Sequence, residues 1–266
     1  MKKFHLMFIL FFLSAPIANA NAGWVIQVRY SDSDGNANEE TIMIQDNKLR
    51  SNGIDGTFIF DLENDWMMVI NDTNNTCWQV KISESRESYY LATRKFMDKM
   101  LVSLPPQERE MYRPLFAEME KMYANFDPSI LDAVKIRIEK TVENEIIAGF
   151  NTNKYLVYVD DTLVEQKWLV TDLDLSNDLN LGKMVRSFKE ISPITGEDVM
   201  YQFTETYLDL SEKGFEMRSV NKAGEITEVM NIEKKLFDAD LFSVPEGFRQ
   251  ISIEEMLMME MNGEDR

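Results

Sequence analysis

The chain has 266 residues, with 46 acidic against 28 basic side chains, one histidine, one cysteine and a formal net charge of −18. So acidic a surface repels nucleic acid and anionic membrane surfaces, which are themselves polyanionic. A single thiol excludes an internal disulfide. The first twenty residues read as a secretory signal peptide. Lys2 and Lys3 form a basic start, Leu6 to Leu13 an apolar core, and Ala18-Asn19-Ala20 a small-residue cleavage site. Cleavage is expected after Ala20, with Ala22 as the alternative, and the product is expected in the periplasm. The apolar run falls short of the roughly 20 residues that a spanning helix needs, and no second such run follows. No cysteine stands at the cleavage point to carry a lipid anchor. His5 leaves with the leader, so the remainder has no imidazole. That excludes Ser-His-Asp and Cys-His nucleophile systems and most zinc sites. Carboxylate, lysine and oxygen-ligand chemistry remain open, but a non-catalytic protein without cofactor or metal is expected.

After the leader the pattern is that of strands. Trp24 to Tyr30 alternates aromatic and β-branched residues. Turn chemistry at Ser31 to Asn38 leads to a return strand at Glu39 to Gln45. Further strands are expected at Lys48 to Ser51, Thr57 to Leu62, Trp66 to Ile70 and Cys77 to Ile82, which describes an antiparallel meander. From Glu87 the period becomes helical, through Tyr90, Thr93, Met97, Met100, Leu101 and Leu104. Pro105 ends that helix and Pro106 opens the next. There Met111, Leu115, Met119, Met122 and Phe126 form a stripe, and Pro114 predicts a kink or a split. Asp127-Pro128-Ser129 starts a third short segment. Strands resume at Lys135, break at Gly149 to Thr152, and continue at Lys154 to Val159 and Val164 to Val170. Asp172 to Ser192 reads as helix, while Val199 to Leu210 has no clear assignment. A hairpin over Phe215 to Glu233, a loop over Phe237 to Phe248 and a helix over Ile253 to Met261 complete the chain. No composition break divides it. The order predicts one α+β domain over 21–266, a long antiparallel sheet curling around inserted helices, the main insert at about 87–134.

Several clusters have a plain structural explanation. Asp32-Ser-Asp34-Gly35-Asn36 resembles part of a calcium loop. In that register, however, Tyr30 and Thr41 occupy the first and twelfth positions, where carboxylates belong. A hairpin turn explains the same residues. The many methionines include soft donors for Cu(I), but no histidine and only Cys77 accompany them. Core packing, or an adaptable apolar surface, accounts for them better. Cys77, beside Trp78, reads as a small buried hydrophobe on a strand. Trp24, Trp66, Trp78 and Trp168 all fall on expected strands. The two Asn-x-Thr sequons at Asn71 and Asn74 read as turn residues.

A set of phrases spread along the chain carries a resemblance. Gly23-Trp-Val-Ile-Gln, Ile44-Gln-Asp-Asn-Lys-Leu-Arg50 and Phe58-Ile-Phe-Asp-Leu62 open it. Ile147 to Tyr155, Gln166 to Thr171 and Leu241-Phe-Ser-Val-Pro-Glu-Gly-Phe248 continue it. Together they resemble an uncharacterised family of secreted bacterial proteins related to the periplasmic lipoprotein carriers LolA and LolB and to mycobacterial lipid-binding lipoproteins. The resemblance implies an incomplete antiparallel β-barrel, a curved half-shell with helices acting as a lid, and an apolar cavity between them that takes up acyl chains. The Met-rich insert departs from the carriers, and no carrier-specific ligand residue carries over.

The expected function is therefore binding of an apolar or acylated ligand, by Trp66 on the sheet and by Met97, Met100, Met111, Leu115, Met119 and Met122 on the lid. The alternative is an envelope interaction or assembly factor that docks a basic protein partner on its acidic surface. An enzyme working with carboxylates alone ranks below both.

Overall fold

Strand order in this protein follows from short, tight turns at one end of the chain and a long helical excursion in the middle. The computed structural model describes residues 22–53, 56–124, 131, 133–191, 200–238 and 240–262. The expected leader, the start of the third helical segment at Asp127 and the stretch at Thr195-Gly196 lie outside them. The six N-terminal strands form as expected: β1 (Ala22–Ser31), β2 (Ala37–Gln45), β3 (Lys48–Gly53), β4 (Gly56–Asp61), β5 (Trp66–Asn71) and β6 (Thr76–Lys81). The β1–β2 turn is held by Asp32, whose Oδ1 accepts from the backbone N–H groups of Asp34 and Asn36 at 2.9 and 2.8 Å. Asp46 and Asn47 take positive φ in the next turn. That conformation suits a two-residue hairpin between right-twisting strands.

The chain then leaves the sheet through a 3-10 turn (Ile82–Glu84), α1 (Ser85–Ser103) and α2 (Pro106–Ala124). It returns as β7 (Ile136–Ile147), β8 (Phe150–Val159) and β9 (Thr162–Val170). After α3 (Leu181–Ile191), a 3-10 turn (Met200–Phe203) and α4 (Glu205–Ser211) come β10 (Phe215–Asn221), β11 (Ile226–Leu236), β12 (Arg249–Gln250) and α5 (Ile253–Asn262). Among the described residues twelve strands make one sheet, in the order β12-β6-β5-β4-β3-β2-β1-β11-β10-β9-β8-β7. Neighbours are antiparallel except β12 beside β6, which is parallel. The excursion through α1 and α2 sends β7 to the far edge. The sheet is curved and open, because its edge strands β12 and β7 do not meet. Among the described residues no helix is long and apolar enough to cross a membrane.

Four local expectations change. Helix α2 runs through Pro114 without splitting. Pro114 is exposed there, so water can bond the carbonyl that loses its partner. The break near Gly149 is only a two-residue turn, Ala148-Gly149, both at positive φ. Thr152 already belongs to β8 and its hydroxyl donates to the Glu145 carbonyl at 2.8 Å. Helix α3 starts at Leu181, not Asp172. Asp174 draws the backbone N–H of Ser176 into a side-chain-capped turn at 3.1 Å, which competes with helix. The helix waits for Asn180, whose side chain accepts from the Lys183 N–H at 2.9 Å as an N-cap. The unassigned 199–210 stretch contains α4, capped by the Thr204 hydroxyl accepting from the Tyr207 N–H.

The sheet is packed on both faces. Cys77, Ile59 and Ile70 form a cluster covered by Phe242, Val244 and Phe248, so the loop before β12 backs strands β4 to β6. Arg50 Nη1 donates to the Leu241 carbonyl at 2.7 Å and pins that loop. The Cys77 thiol is buried, and burial pushes its pKa up. That is the inert hydrophobe expected. Gly23 marks a close approach, since a Cβ there would lie 2.4 Å from the Ile44 carbonyl oxygen and 2.5 Å from the Phe237 ring. Replacing Gly23 by Ala should therefore destabilise the fold by about 1–3 kcal/mol through overpacking. Urea denaturation checks this, and an unchanged midpoint would refute the close contact.

Candidate functional site

Side chains alternate across a strand, so one face of β1 to β6 can be followed row by row. Ile26, Ile42, Ser51, Phe58, Val69 and Trp78 are successive cross-strand partners. Two residues along lies the row Trp24, Ile44, Leu49, Phe60, Met67 and Val80. These two rows are apolar but for Ser51, and most of them floor a cavity of about 820 Å³. The cavity walls come from three helices. Helix α1 supplies Tyr89, α3 supplies Met184, Phe188 and Ile191, and α5 supplies Ile253, Met256 and Met259.

Specific contacts hold those helices in place. The Trp24 indole donates to Asp178 at 2.9 Å and the Asn47 N–H to the Asp178 carbonyl at 2.8 Å. They tie the loop before α3 to β1 and to the β2–β3 turn. The C-terminal end of α3 is held to α1, where the Arg86 guanidinium donates to the Lys189 carbonyl and the Ser85 hydroxyl to the Glu190 carbonyl. Lys99 pairs with Glu254 between α1 and α5. Phe188 meets Phe60 edge-on, with ring centroids 5.8 Å apart. Phe188 is nonetheless 44% exposed, so α3 closes the cavity without being sealed into a core. A second cavity of about 370 Å³, between α3, α4 and β10, shares Met184, Phe188 and Phe215 with the first.

Five of the seven sequence-predicted residues have described side chains, and these fall elsewhere. Trp66 is half-buried at the start of β5 between Asp61 and Lys81. Period 2 turns it to the face opposite Met67 and Val69. Met97 is buried in α1 and Met100 half-buried, while Met111 and Leu115 are 65% and 51% exposed on α2. None of these five is among the described residues lining the larger cavity. The side chains of Met119 and Met122 lie outside the described residues. Helix α2 docks on α1, and Met111 and Leu115 of its stripe are not among the cavity's lining residues. Among the described residues the thioethers that line the cavity are Met67, Met184, Met256 and Met259. The Met-rich pattern of the last helix carried a signal for two of them. Among the described residues no group of three or more His, Cys, Asp or Glu side chains is placed to hold a metal ion.

Next to the second cavity lies a buried ionic cluster. Lys167 Nζ sits 2.6 Å from Glu216 and 3.8 Å from Glu165, and donates to the Tyr207 hydroxyl at 2.7 Å. Tyr207 in turn donates to Glu165 at 2.8 Å, and Tyr201 at 3.3 Å. Burial pushes the Glu165 pKa up, whereas Lys167 outweighs burial at Glu216 and holds its carboxyl below the usual range. Burial, then Glu165, pushes the Tyr201 phenol up to about 12. The arrangement clamps the 200–211 segment onto β9 and β10.

These features define a class, an open antiparallel half-shell with a helix-walled apolar cavity. By sequence, the model of the family described as "Domain of unknown function (DUF4412)" matches residues 116–248, half of the chain, and the chain belongs to that family. No curated protein matches it. Among solved structures, PNGF-II is similar over 92% of this chain and 34% of its own, at 12% identity and a TM-score of 0.41. The MucA/MucB complex of Pseudomonas aeruginosa is similar over 85% of this chain and 56% of that one, at 12% identity and a TM-score of 0.36. MucB alone gives 87% and 60%, at 12% identity and the same TM-score. The chain thus spans about a third of PNGF-II and somewhat over half of MucB.

Replacing Lys167 by Met leaves two carboxylates without their cation. The cost should be about 3 kcal/mol, the lower end for a broken buried pair, because Glu216 keeps partial exposure. The sign of the pH dependence follows. Without Lys167, burial raises both carboxyl pKa values above their unfolded values, so protonation favours the folded state. The variant should melt at a higher temperature at pH 5 than at pH 8. Thermal melts at the two pH values test this, and the opposite order would contradict it.

Proposed function

We propose that this protein is a non-catalytic periplasmic binding protein that takes an apolar or acylated ligand into the larger cavity. The observation that carries the reading is that cavity, about 820 Å³ in volume. It is floored by two apolar rows and walled by Met184, Met256, Met259 and Phe188. Burial of each methylene contributes about 0.8 kcal/mol, so an acyl chain binds there without any sharp polar motif. Methionine walls adapt to chains of differing shape. The signal-like leader supports an exported site of action. The likeness of the strand phrases to the LolA and LolB carriers supports the same reading by analogy of fold.

The wall that moves in this reading is α3, with Phe188 at its hinge with solvent, rather than the α2 stripe. Replacing Phe188 by Glu puts a charge on the cavity wall at a position exposed enough to tolerate it. A fluorescent C14 probe should bind this variant at least about tenfold more weakly, a loss of about 1.4 kcal/mol, with the melting temperature nearly unchanged. Native mass spectrometry of the protein from its own periplasm should show an added lipid mass that organic extraction removes. Unaltered probe binding by the variant, with a clean apo mass, would shift the reading to the acidic docking surface.

A further inference from the structure

The two ends of the larger cavity differ in their polar groups: Glu40, Asn71 and Thr76 lie at one, Ser85 and Arg86 at the other. One row is separated from the next by two residues, about 6.6 Å along a strand. Past the Ile42 row, away from α3, comes a row with Val28 opposite Glu40, Gly53 opposite Gly56, and Asn71 opposite Thr76. Glu40, Asn71 and Thr76 line the cavity there, and Tyr30, the next inward residue of β1, is 39% exposed at its margin. Among the described residues, Gly53 and Gly56 place no side chain in front of Glu40, and Tyr30 is 39% exposed beside it, so this end serves as the mouth. The opposite end is closed by α3 and its Phe188–Phe60 contact.

Glu40 is the one carboxylate among the described residues lining this cavity. The Ser51 hydroxyl donates to Glu40 Oε1, and Tyr30 also bonds to Glu40. Burial, then Glu40, raises the Tyr30 phenol above its ordinary range, so it remains a donor. A carboxylate has about four lone-pair sites, and two hydroxyl donors leave acceptor capacity toward the mouth. Glu40 forms no ion pair among the described residues, whereas its neighbour Glu39, on the other face of β2, pairs with Arg29. Among the described residues the one cation of the lining, Arg86, stands beyond the other end of β6, at the start of α1, and donates to the Lys189 carbonyl. An amphiphile that enters chain first therefore leaves its head beside an acceptor-only anion, in a protein of net charge −18.

We infer that this rim selects amphiphiles with a cationic, amine-bearing head and disfavours anionic ones, with the alkyl chain directed toward Met184 and Phe188. The inference rests on the proposed apolar-ligand function. The test is displacement of a fluorescent apolar probe by tetradecylamine, tetradecanol and tetradecanoic acid, below their micellar concentrations at pH 7. The amine should displace the probe at about tenfold lower concentration than the acid, equivalent to about 1.4 kcal/mol, with the alcohol between them. Glu40→Gln should bring amine and acid close together, while Glu39→Gln should leave their ratio as in the parent. An acid that binds as well as the amine overturns the head-group inference while the apolar site stands. So does a Glu39→Gln variant that shifts the ratio as much as Glu40→Gln does. If none of the three compounds displaces the probe, the apolar-ligand reading itself fails and this inference falls with it.

Discussion

An open sheet whose inner face is apolar must be covered, and everything else in this structure answers to that constraint. Rows such as Trp24, Ile44, Leu49, Phe60, Met67 and Val80 expose hydrophobic surface across six strands at once. At roughly 25 cal/mol per Å² the drive to remove it from water is large. The edges β12 and β7 do not meet, so the sheet does not cover itself by closing into a barrel. Helices α1, α3 and α5 lie across it instead. They touch the sheet and one another around its margins, and the space they enclose without filling is the cavity.

The covering packs on the sheet through Ala92, Met184, Ile253 and Met256, and polar contacts at its edges hold it in place. Asp178 and Asn47 fix the start of α3, Arg86 and Ser85 its end, and Lys99 with Glu254 joins α1 to α5. The one ion pair among them, Lys99 with Glu254, is exposed and individually weak. On the neighbouring part of the sheet the covering is of another kind. There Glu165 and Lys167 are buried, Glu216 beside them is partly exposed, and two tyrosines close the cluster. A buried network tolerates no half-satisfied geometry. The clamped 200–211 segment is accordingly the firm part of the helical layer, and α3 beside it the part with an exposed aromatic and a cavity on either side.

Much of the fold was legible because the signals were local. The meander of β1 to β6 follows from alternating residues and Asp-, Asn- and Gly-bearing turns. Cys77 and the strand-borne tryptophans sit on strands as their neighbours indicate. The misreadings were local too, but each arose where two short-range preferences competed. Asp174 favours a side-chain-capped turn over the helix that the apolar spacing of 172–192 predicts, and Asn180 restarts it. Ala148 and Gly149 complete a turn in two residues where a longer break is expected.

The site residues divide along the same line. Sequence alone determined most of the strands, though not the short β12, that their faces alternate, and that methionine-rich helices accompany them, because these depend on backbone preference and periodicity within a few residues. Only the tertiary structure decided which helices face the sheet. The stripe Met111 and Leu115 has the same period as a lid helix, yet α2 rests on α1, while Met184 and Phe188 on the less conspicuous α3 meet Phe60. The loop at Asp178 that precedes α3 is tied to Trp24 of β1 and to the β2–β3 turn, contacts spanning more than a hundred residues. Periodicity shows that a helix has an apolar face, whereas only the assembled chain determines what that face meets.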